Sequence, residues 1–306
     1  MPMFRSQFEK LFFDRLPYLK RVTYEEYGEP DDMFSQVMSV VGSSKMREQY
    51  TGVTGFGLAS AIPEGEPMIY GTLLEDYPKT LTHTKYGLGF QVTEEASEDD
   101  LDGPMNQGGR ALGRAMRTTK AIEVWKIFNL AFRTGAGQTG ETGPDSVAPF
   151  HNAHTLKEGG TFSNEVLSDL SIASLETALN IFDDFRDQRN QLIDVGAGIL
   201  LHPPEMQWLV GEILRSPDKP DTANRSINVL EGKLRPIMSK WLTDADSCFI
   251  GPATIRGEMG PVLLNRRPMR IENDMDFDTG TAKTKATTRH AQGWTNYIGW
   301  VGLEGQ

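Results

Sequence analysis

Residues 104–132, PMNQGGRALGRAMRTTKAIEVWKIFNLAF, place Leu112, Met116, Thr119, Ile122, Trp125, Phe128 and Phe132 at intervals of three or four. Only a helix puts such a series on one face. Pro104 suits its first turn, where a missing amide hydrogen costs nothing. If continuous, these 29 residues span roughly 43 Å at about 1.5 Å each. Any fold that holds them must be laid along a rod. Gly108, Gly109 and Gly113 weaken the early turns. Arg110, Arg114, Arg117 and Lys120 form a basic stripe with three readings: a solvated face, a partner for acidic residues on neighbouring molecules, or a lining turned towards nucleic acid.

The sequence before the rod looks incomplete by itself. Residues 1–50 open on FRSQFEKLFFDRL, with Phe4, Phe8, Leu11 and Phe12 at helical spacing, and continue without a sustained period. They read as an extended arm carrying a short helix, packed on its own domain or docked on a neighbour. From 51 to 92 the pattern is of strands: VTGFGLASAI, a PEGEP turn, then MIYGTLLEDYPKTLTHTKYGLGFQV. Thr80, Thr82, Thr84 and Tyr86 fall on one face, Leu81, His83 and Lys85 on the other, and neither face is apolar. A long hairpin without a hydrophobic face needs another surface to lie on, and another copy of the chain can supply it.

Two segments invite ligand readings that their spacing argues against. TEEASEDDLDGP has six carboxylates between Glu94 and Asp102 but lacks a calcium-loop pattern. Ser97 with Asp100 makes it a helix start instead. In TGAGQTGETGP (134–144), Gly135 and Gly140 have the gap of a phosphate loop, yet Glu141 stands where that motif needs lysine and a helix precedes it.

The second half reads as an α/β unit. LSIASLETALNIFDDF is a helix with Ile172, Leu175, Leu179 and Phe182 on one face, GAGILL a short buried strand, and Pro204 the start of a helix whose Met206, Leu209 and Ile213 face inward. SCFIG, GPVLLNRR, MRIEND and NYIGWVG read as closing strands, and no internal repeat stands out.

Several chemistries are excluded on content. FHNAHTLKEGG (150–160) sets His151 and His154 three apart, but His83, His202 and His290 lie in separate predicted elements, so no third metal ligand assembles. The loop reads as a surface turn with hydrogen-bonding histidines. There is no G-x-S-x-G turn, and the sole cysteine, Cys248, sits in a strand read as buried. Asp183, Asp184 and Asp187, beside Arg186 and Arg189, read as an ion-paired helix face. We therefore expect no catalytic, metal or cofactor site and no enzyme activity. The net charge of -11 and pI near 5.0 exclude a protein that grips phosphates over its whole surface. One cysteine and no long apolar stretch lead us to expect a soluble chain of a reducing compartment, without a membrane.

In succession, YPKTLTHTKYGLGFQVTEEASEDD, PFHNAHTLKEGGTFSN, the run from LSIASLETALNIFDDF to HPPEMQWLVGEILRS, and RSINVLEGKLRPIMSKWLTDADSCFIG resemble the major capsid (head) proteins of tailed bacteriophages, which share the Hong Kong 97-type shell fold. The likeness runs from about residue 50 onward. It implies an α+β fold with an N-terminal arm (1–50), an extended β-hairpin loop (51–92), a peripheral domain (93–165) with its spine helix at about 104–132, an axial α/β domain (166–272), and C-terminal strands (273–306) that return to the peripheral domain. By the same resemblance the two histidines mark a family loop. Copies would form hexamers and pentamers of an icosahedral shell around double-stranded DNA held without sequence specificity. The expected partners are a portal protein, a scaffolding protein and a maturation protease, with assembly in the cytoplasm of a bacterial host and residence in the virion. Tyr70, Tyr77, Lys79, His83, Tyr86, Arg110, Arg114, Arg117 and Lys120 are the candidate subunit contacts. Unlike some relatives, the chain shows no long N-terminal helical segment of the built-in scaffold kind, and no local pattern pairs Lys79 or Lys85 with an asparagine for cross-linking. Two alternatives stand beside this reading: an encapsulin-like nanocompartment shell, and an α/β hydrolase using His151, His154 and the acidic run.

Overall fold

The computed structural model describes residues 5–28, 33–93, 104–132, 140–218, 227–255, 260–276 and 278–305, with the side chains of 5–15 and 104–106 set aside. The acidic run 94–102, Gly135, and the side chains of Phe4, Phe8, Leu11 and Phe12 lie outside the described residues. In chain order the elements are α1 (Arg5–Gly28), α2 (Phe34–Val37), β1 (Ser39–Gly42), β2 (Arg47–Tyr50), β3 (Val53–Thr54), β4 (Leu74–Glu75), β5 (Lys79–Thr82), β6 (Thr84–Val92), α3 (Pro104–Asn129), β7 (His154–Thr155), β8 (Thr161–Phe162), β9 (Glu165–Leu167), α4 (Ile172–Asp183), β10 (Ala197–His202), a 3-10 turn (Pro204–Met206), α5 (Gln207–Arg215), β11 (Arg235–Met238), β12 (Cys248–Pro252), β13 (Pro261–Asp276), β14 (Thr281–Trp294) and β15 (Val301–Glu304).

The rod is α3, 26 residues and about 39 Å long, and it joins two sheets. The first has the order β1-β13-β14-β6, dominated by the long β13–β14 hairpin. Leu112 and Met116 of α3 pack there on Met269, Ile271 and Ala286. The second has the order β11-β10-β12-β15-β9. Successive residues of β10 point to opposite faces. Leu200 meets Leu175, Phe182, Val210 and Ile213 of α4 and α5, while Ile199 and Leu201 meet Trp125 and Phe128 of α3. With both faces covered, the strands read as unbroken apolar runs, GILL and CFI. Cys248 is buried in β12, and desolvation pushes its thiol up to about 12. The helix over residues 172–183 begins as its spacing predicts, with the Ser171 side chain accepting from the Ser174 amide in a capping box.

Several expectations are corrected. Serving two sheets, α3 buries a band that turns along its length: Val124 and Ile127 are inside while Ile122 is half exposed. Leu209 points outward and Val210 inward, because the 3-10 turn before α5 winds tighter than an α-helix and shifts the phase. The segment 281–294, which residue spacing does not single out within the C-terminal strands expected over 273–306, is the interior strand β14, whose threonines and alanines suit a strand that packs against α3. The last strand, β15, lies between β12 and β9 in the second sheet.

The arm is also more helical than predicted, since α1 runs for 24 residues. The glycines of α3 explain how it docks. A Cβ on Gly109 would come within 2.5 Å of Leu19 Cδ1, and one on Gly113 within 2.6 Å of the Thr23 carbonyl oxygen, so only glycine permits so close a crossing. The basic stripe then closes on the end of α1. Arg114 forks onto the Glu26 carboxylate at 2.9 and 3.3 Å, Arg117 donates to the Glu26 carbonyl at 3.3 Å, and Lys120 lies over the Tyr27 and Phe34 rings. Cations at a helix C-terminus are stabilised by its exposed carbonyl groups. Arg114, followed by Coulomb attraction to its neighbours in the stripe, holds the Glu26 carboxyl below its ordinary range.

Only part of the predicted hairpin leaves the body. Strand β5 pairs with β2, β6 pairs with β14, and Leu81 packs on Val262, Leu264 and Ala291. The alternation of Leu81 and His83 against the threonines therefore addresses the chain's own sheet, not that of another copy.

On the α3 side of this sheet His290 is fully buried and stacks on Tyr86 at 4.7 Å, and neither ring nitrogen has a hydrogen-bond partner among the described residues. Burial, aided by Lys120, lowers its pKa from 6.5 to about 4. Between those values the unfolded chain binds more protons than the folded one, so this contribution to stability falls as pH is lowered. We expect a loss of about 2 kcal/mol from this group between pH 7 and pH 5. Urea denaturation of the parent and of His290→Phe should show that difference in pH dependence; parallel curves would contradict it.

Candidate assembly surface

The segment 53–75 stands apart in composition of surface. Strands β3 and β4 form two rungs at its base, and between them the chain has no regular element beyond a turn in which Glu66 donates to the Pro63 carbonyl and Gly65 takes φ +87°. Its apolar side chains face solvent: Leu58 is 85% and Tyr70 90% exposed, and Phe56, Met68, Ile69 and Leu73 are more than half exposed. A single exposed leucine is ordinary, but a contiguous set marks a contact surface.

What holds this loop is a pair of cations from elsewhere. Arg189 donates to the carbonyl oxygens of Gly55 (2.9 Å) and Thr72 (2.7 Å), one on each limb, and pairs with Glu158. It is positioned by a turn after α4, in which the Asp187 carboxylate accepts from the amides of Arg189 and Gln191 and Asn190 adopts φ +60°. Lys157 reaches the Glu75 carbonyl and lies 4.8 Å from the Tyr77 ring centroid. Asp76 is buried at the same hinge, its amide bonded to Gly52, and desolvation raises its carboxyl pKa. Nearby, Lys79 donates to the carbonyl and hydroxyl oxygens of Thr142; burial lowers the Lys79 pKa and raises that of Glu141. The Asp and Arg residues read as one helix face thus belong largely to a turn: α4 ends at Asp183, and Arg189 works at the base of the loop.

The histidine loop is no surface turn. His154 is fully buried, its Nδ1 2.6 Å from Asp145 Oδ2, its Nε2 2.9 Å from Asn164 Oδ1, its ring stacked on Tyr297 at 3.9 Å. Asn164 spends its amide hydrogens on the carbonyls of Pro149 and Trp300, so its oxygen accepts from His154 Nε2 and from the His151 amide. The network ties three separated segments together. Among the described residues, no group of three acidic, histidine or cysteine side chains is arranged to hold a metal ion.

Of the nine candidate contacts, Tyr70 lies on the exposed loop and Arg110 on the open side of α3. His83 is buried with Nε2 at 2.9 Å from Ser43 Oγ, and the Tyr86 hydroxyl meets Glu123. Tyr77, Lys79, Arg114, Arg117 and Lys120 are engaged within the chain as described above. Sequence reading missed Arg189 and Lys157, whose partners are backbone carbonyls more than 80 residues away and leave no local pattern. It also took VTGFGLASAI for a strand, although its glycines and lack of alternation are the signal of an irregular limb. A second exposed apolar group, Trp208, Ile227 and Val229, lies on and beside α5. No helix among the described residues is long and apolar enough to cross a membrane.

Comparison with known proteins places this geometry. Residues 76–303 match the family described as phage capsid protein. None of the curated proteins compared with the chain matches it. Among solved structures, the capsid of the cyanophage P-SCSP1u is 12% identical with a TM-score of 0.58, covering 88% of this chain and 86% of that one. The capsid of a native GTA particle is 11% identical with a TM-score of 0.59, covering 90% and 91%. The mature capsid of bacteriophage PhiM1 is 11% identical with a TM-score of 0.56, covering 90% and 87%. At these identities the likeness is one of fold, a mixed α+β architecture shared with capsid subunits.

Proposed function

The chain belongs to the phage capsid protein family and is a structural subunit of the virion shell; from that premise we propose that it closes hexamers and pentamers of an icosahedral head by laying residues 53–75 on neighbouring copies. The carrying observation is the exposed apolar loop held at its base by Arg189. Left in water that surface is unfavourable by about 25 cal/mol per Å², and a sister subunit is the partner a shell always offers. A head-to-tail contact repeated about an axis closes into rings when the rotation allows it.

In the Hong Kong 97-type description, we read α3 with the first sheet as the peripheral domain, the second sheet with α4 and α5 as the axial domain, and α1 as a helical arm docked on the spine. A portal, a scaffolding protein, a maturation protease and packaged double-stranded DNA are the partners this reading expects. The net charge of -11 suits a shell that encloses DNA without clinging to it. Leu58→Ser with Tyr70→Ser tests the reading. Both residues are surface ones, so subunit stability should change by less than about 0.5 kcal/mol. Particles counted by electron microscopy, with scaffold supplied, should disappear. Normal yields would refute the role of the loop, and small shells filled with a protein cargo would favour the nanocompartment.

A further inference from the structure

The first sheet has one face on α3, and the opposite face carries a charge pattern with a single break. Gln292 and Trp294 of β14 donate to carbonyl groups of α3, so residues of the other parity on β14 point away from that helix. Along this outer face opposite charges sit side by side: Lys285 with Glu272 at 3.0 Å, Lys283 with Asp276 at 2.7 Å. One rung differs. Arg267, Arg289 and Lys85 are direct partners across three adjacent strands, β13, β14 and β6. Like charges directly opposite destabilise a sheet. The bulge between Asn265 and Arg267 adds Arg266, and His83 lies close enough that Arg266 and Arg289 reinforce the lowering of its pKa by burial.

These groups are under-satisfied as well as crowded. Arg266 Nη1, Arg267 Nε, Arg289 Nε and His83 Nδ1 are buried without a hydrogen-bond partner among the described residues. The nearby carboxylate, Glu48, is already taken by Ser43 and Lys45. His83 Nε2 donates to Ser43 Oγ, so its Nδ1 is a bare lone pair; the three unpaired guanidinium N–H groups are the costly ones, and in a chain of net charge -11 they call for an anion.

Building on the shell reading above, we propose that this basic rung seats the acidic tip of another copy's loop, Glu64 and Glu66. Both are exposed and, among the described residues, make no ion pair. Pro63 and Pro67 stiffen the turn that presents them, and the ten residues from the Arg189 clamp at Gly55 to Gly65 span up to about 33 Å, enough to cross onto a neighbour. Two carboxylates against two arginines and a lysine are complementary in charge, and such pairs set register between partners.

A charge exchange in the full chain decides it. Lys85→Glu with Arg289→Glu reverses the rung, and Glu64→Lys with Glu66→Lys reverses the tip. Each pair alone should cut particle yield at least tenfold at physiological salt, while all four substitutions in one chain restore most of it. Arg289→Gln, which relieves repulsion without reversing charge, should give a subunit with Tm equal to or above the parent's and a reduced yield, separating assembly from folding. Parental yields from either reversed pair, or a fourfold variant no better than the pairs, would overturn the proposal. So would rung variants that assemble normally but retain less DNA, since the rung would then serve phosphate. If the parent itself forms no particles with scaffold, the shell reading fails; if the parent assembles and the exchanges are silent, only the rung–tip contact fails.

Discussion

Asp145→Ala lowers the unfolding free energy of the subunit by about 3 kcal/mol, the upper end of the loss when a buried hydrogen-bonded group is removed and its partner is left unsatisfied. The reason lies in the proton count. Asn164 Oδ1 can only accept, so His154 Nε2 carries a hydrogen, and the 2.6 Å contact with Asp145 requires one more between Nδ1 and the carboxyl. With alanine at 145, Nδ1 is left buried with nothing to bond. Asp145→Asn retains an N–H that can donate to Nδ1 of a neutral ring, so it should cost clearly less than alanine. Denaturant titration at pH 7 should rank the parent first, then Asn, then Ala. A loss below about 1 kcal/mol for Ala would show that the network does not tie the loop to the core.

Phe128→Ala should cost as much or more, about 3–5 kcal/mol, by cavity formation. The ring is central to an aromatic group, with centroids 5.3–5.7 Å from Trp294, Phe249, Trp300 and Trp125. Those partners come from both sheets and from α3 itself, so the void opens where the two halves of the subunit meet. Phe128→Leu, which keeps most of the volume, should lose less than half as much. If Ala and Leu behave alike, the packing at this junction is looser than the ring geometry indicates.

What could be read in advance follows from the range of the interactions involved. The spine at Pro104–Asn129, the capped helix at Ile172–Asp183 and the buried strands at Ala197–His202 and Cys248–Pro252 are each set by local spacing, and local spacing is visible in sequence. The strand at Thr281–Trp294 was hidden because one face is threonine and alanine against a helix and the other is charged, so no apolar alternation announces it. The docking of α1 was half visible: Gly109 and Gly113 looked like weaknesses of the spine, and they are its contact with Leu19 and Thr23. The basic stripe could not be resolved before its partner helix was placed, since Glu26 lies 88 residues from Arg114. Of the candidate surface, Tyr70 stood among the expected subunit contacts, and it is 90% exposed on the loop. Arg189, which fixes the loop, was not legible, because a guanidinium bonded to distant carbonyls has no motif.

The position of β15 has a consequence for how the protein is made. Residues 301–304 occupy an interior place in the second sheet, between one strand that runs against them and one that runs with them. Ribosomes therefore release β9, β10 and β12 into a layer with a gap, which closes only after translation has passed residue 304. A nascent or prematurely terminated polypeptide exposes two unfilled edges there and should be left to chaperones and proteases, so that only finished molecules are enrolled in building a head.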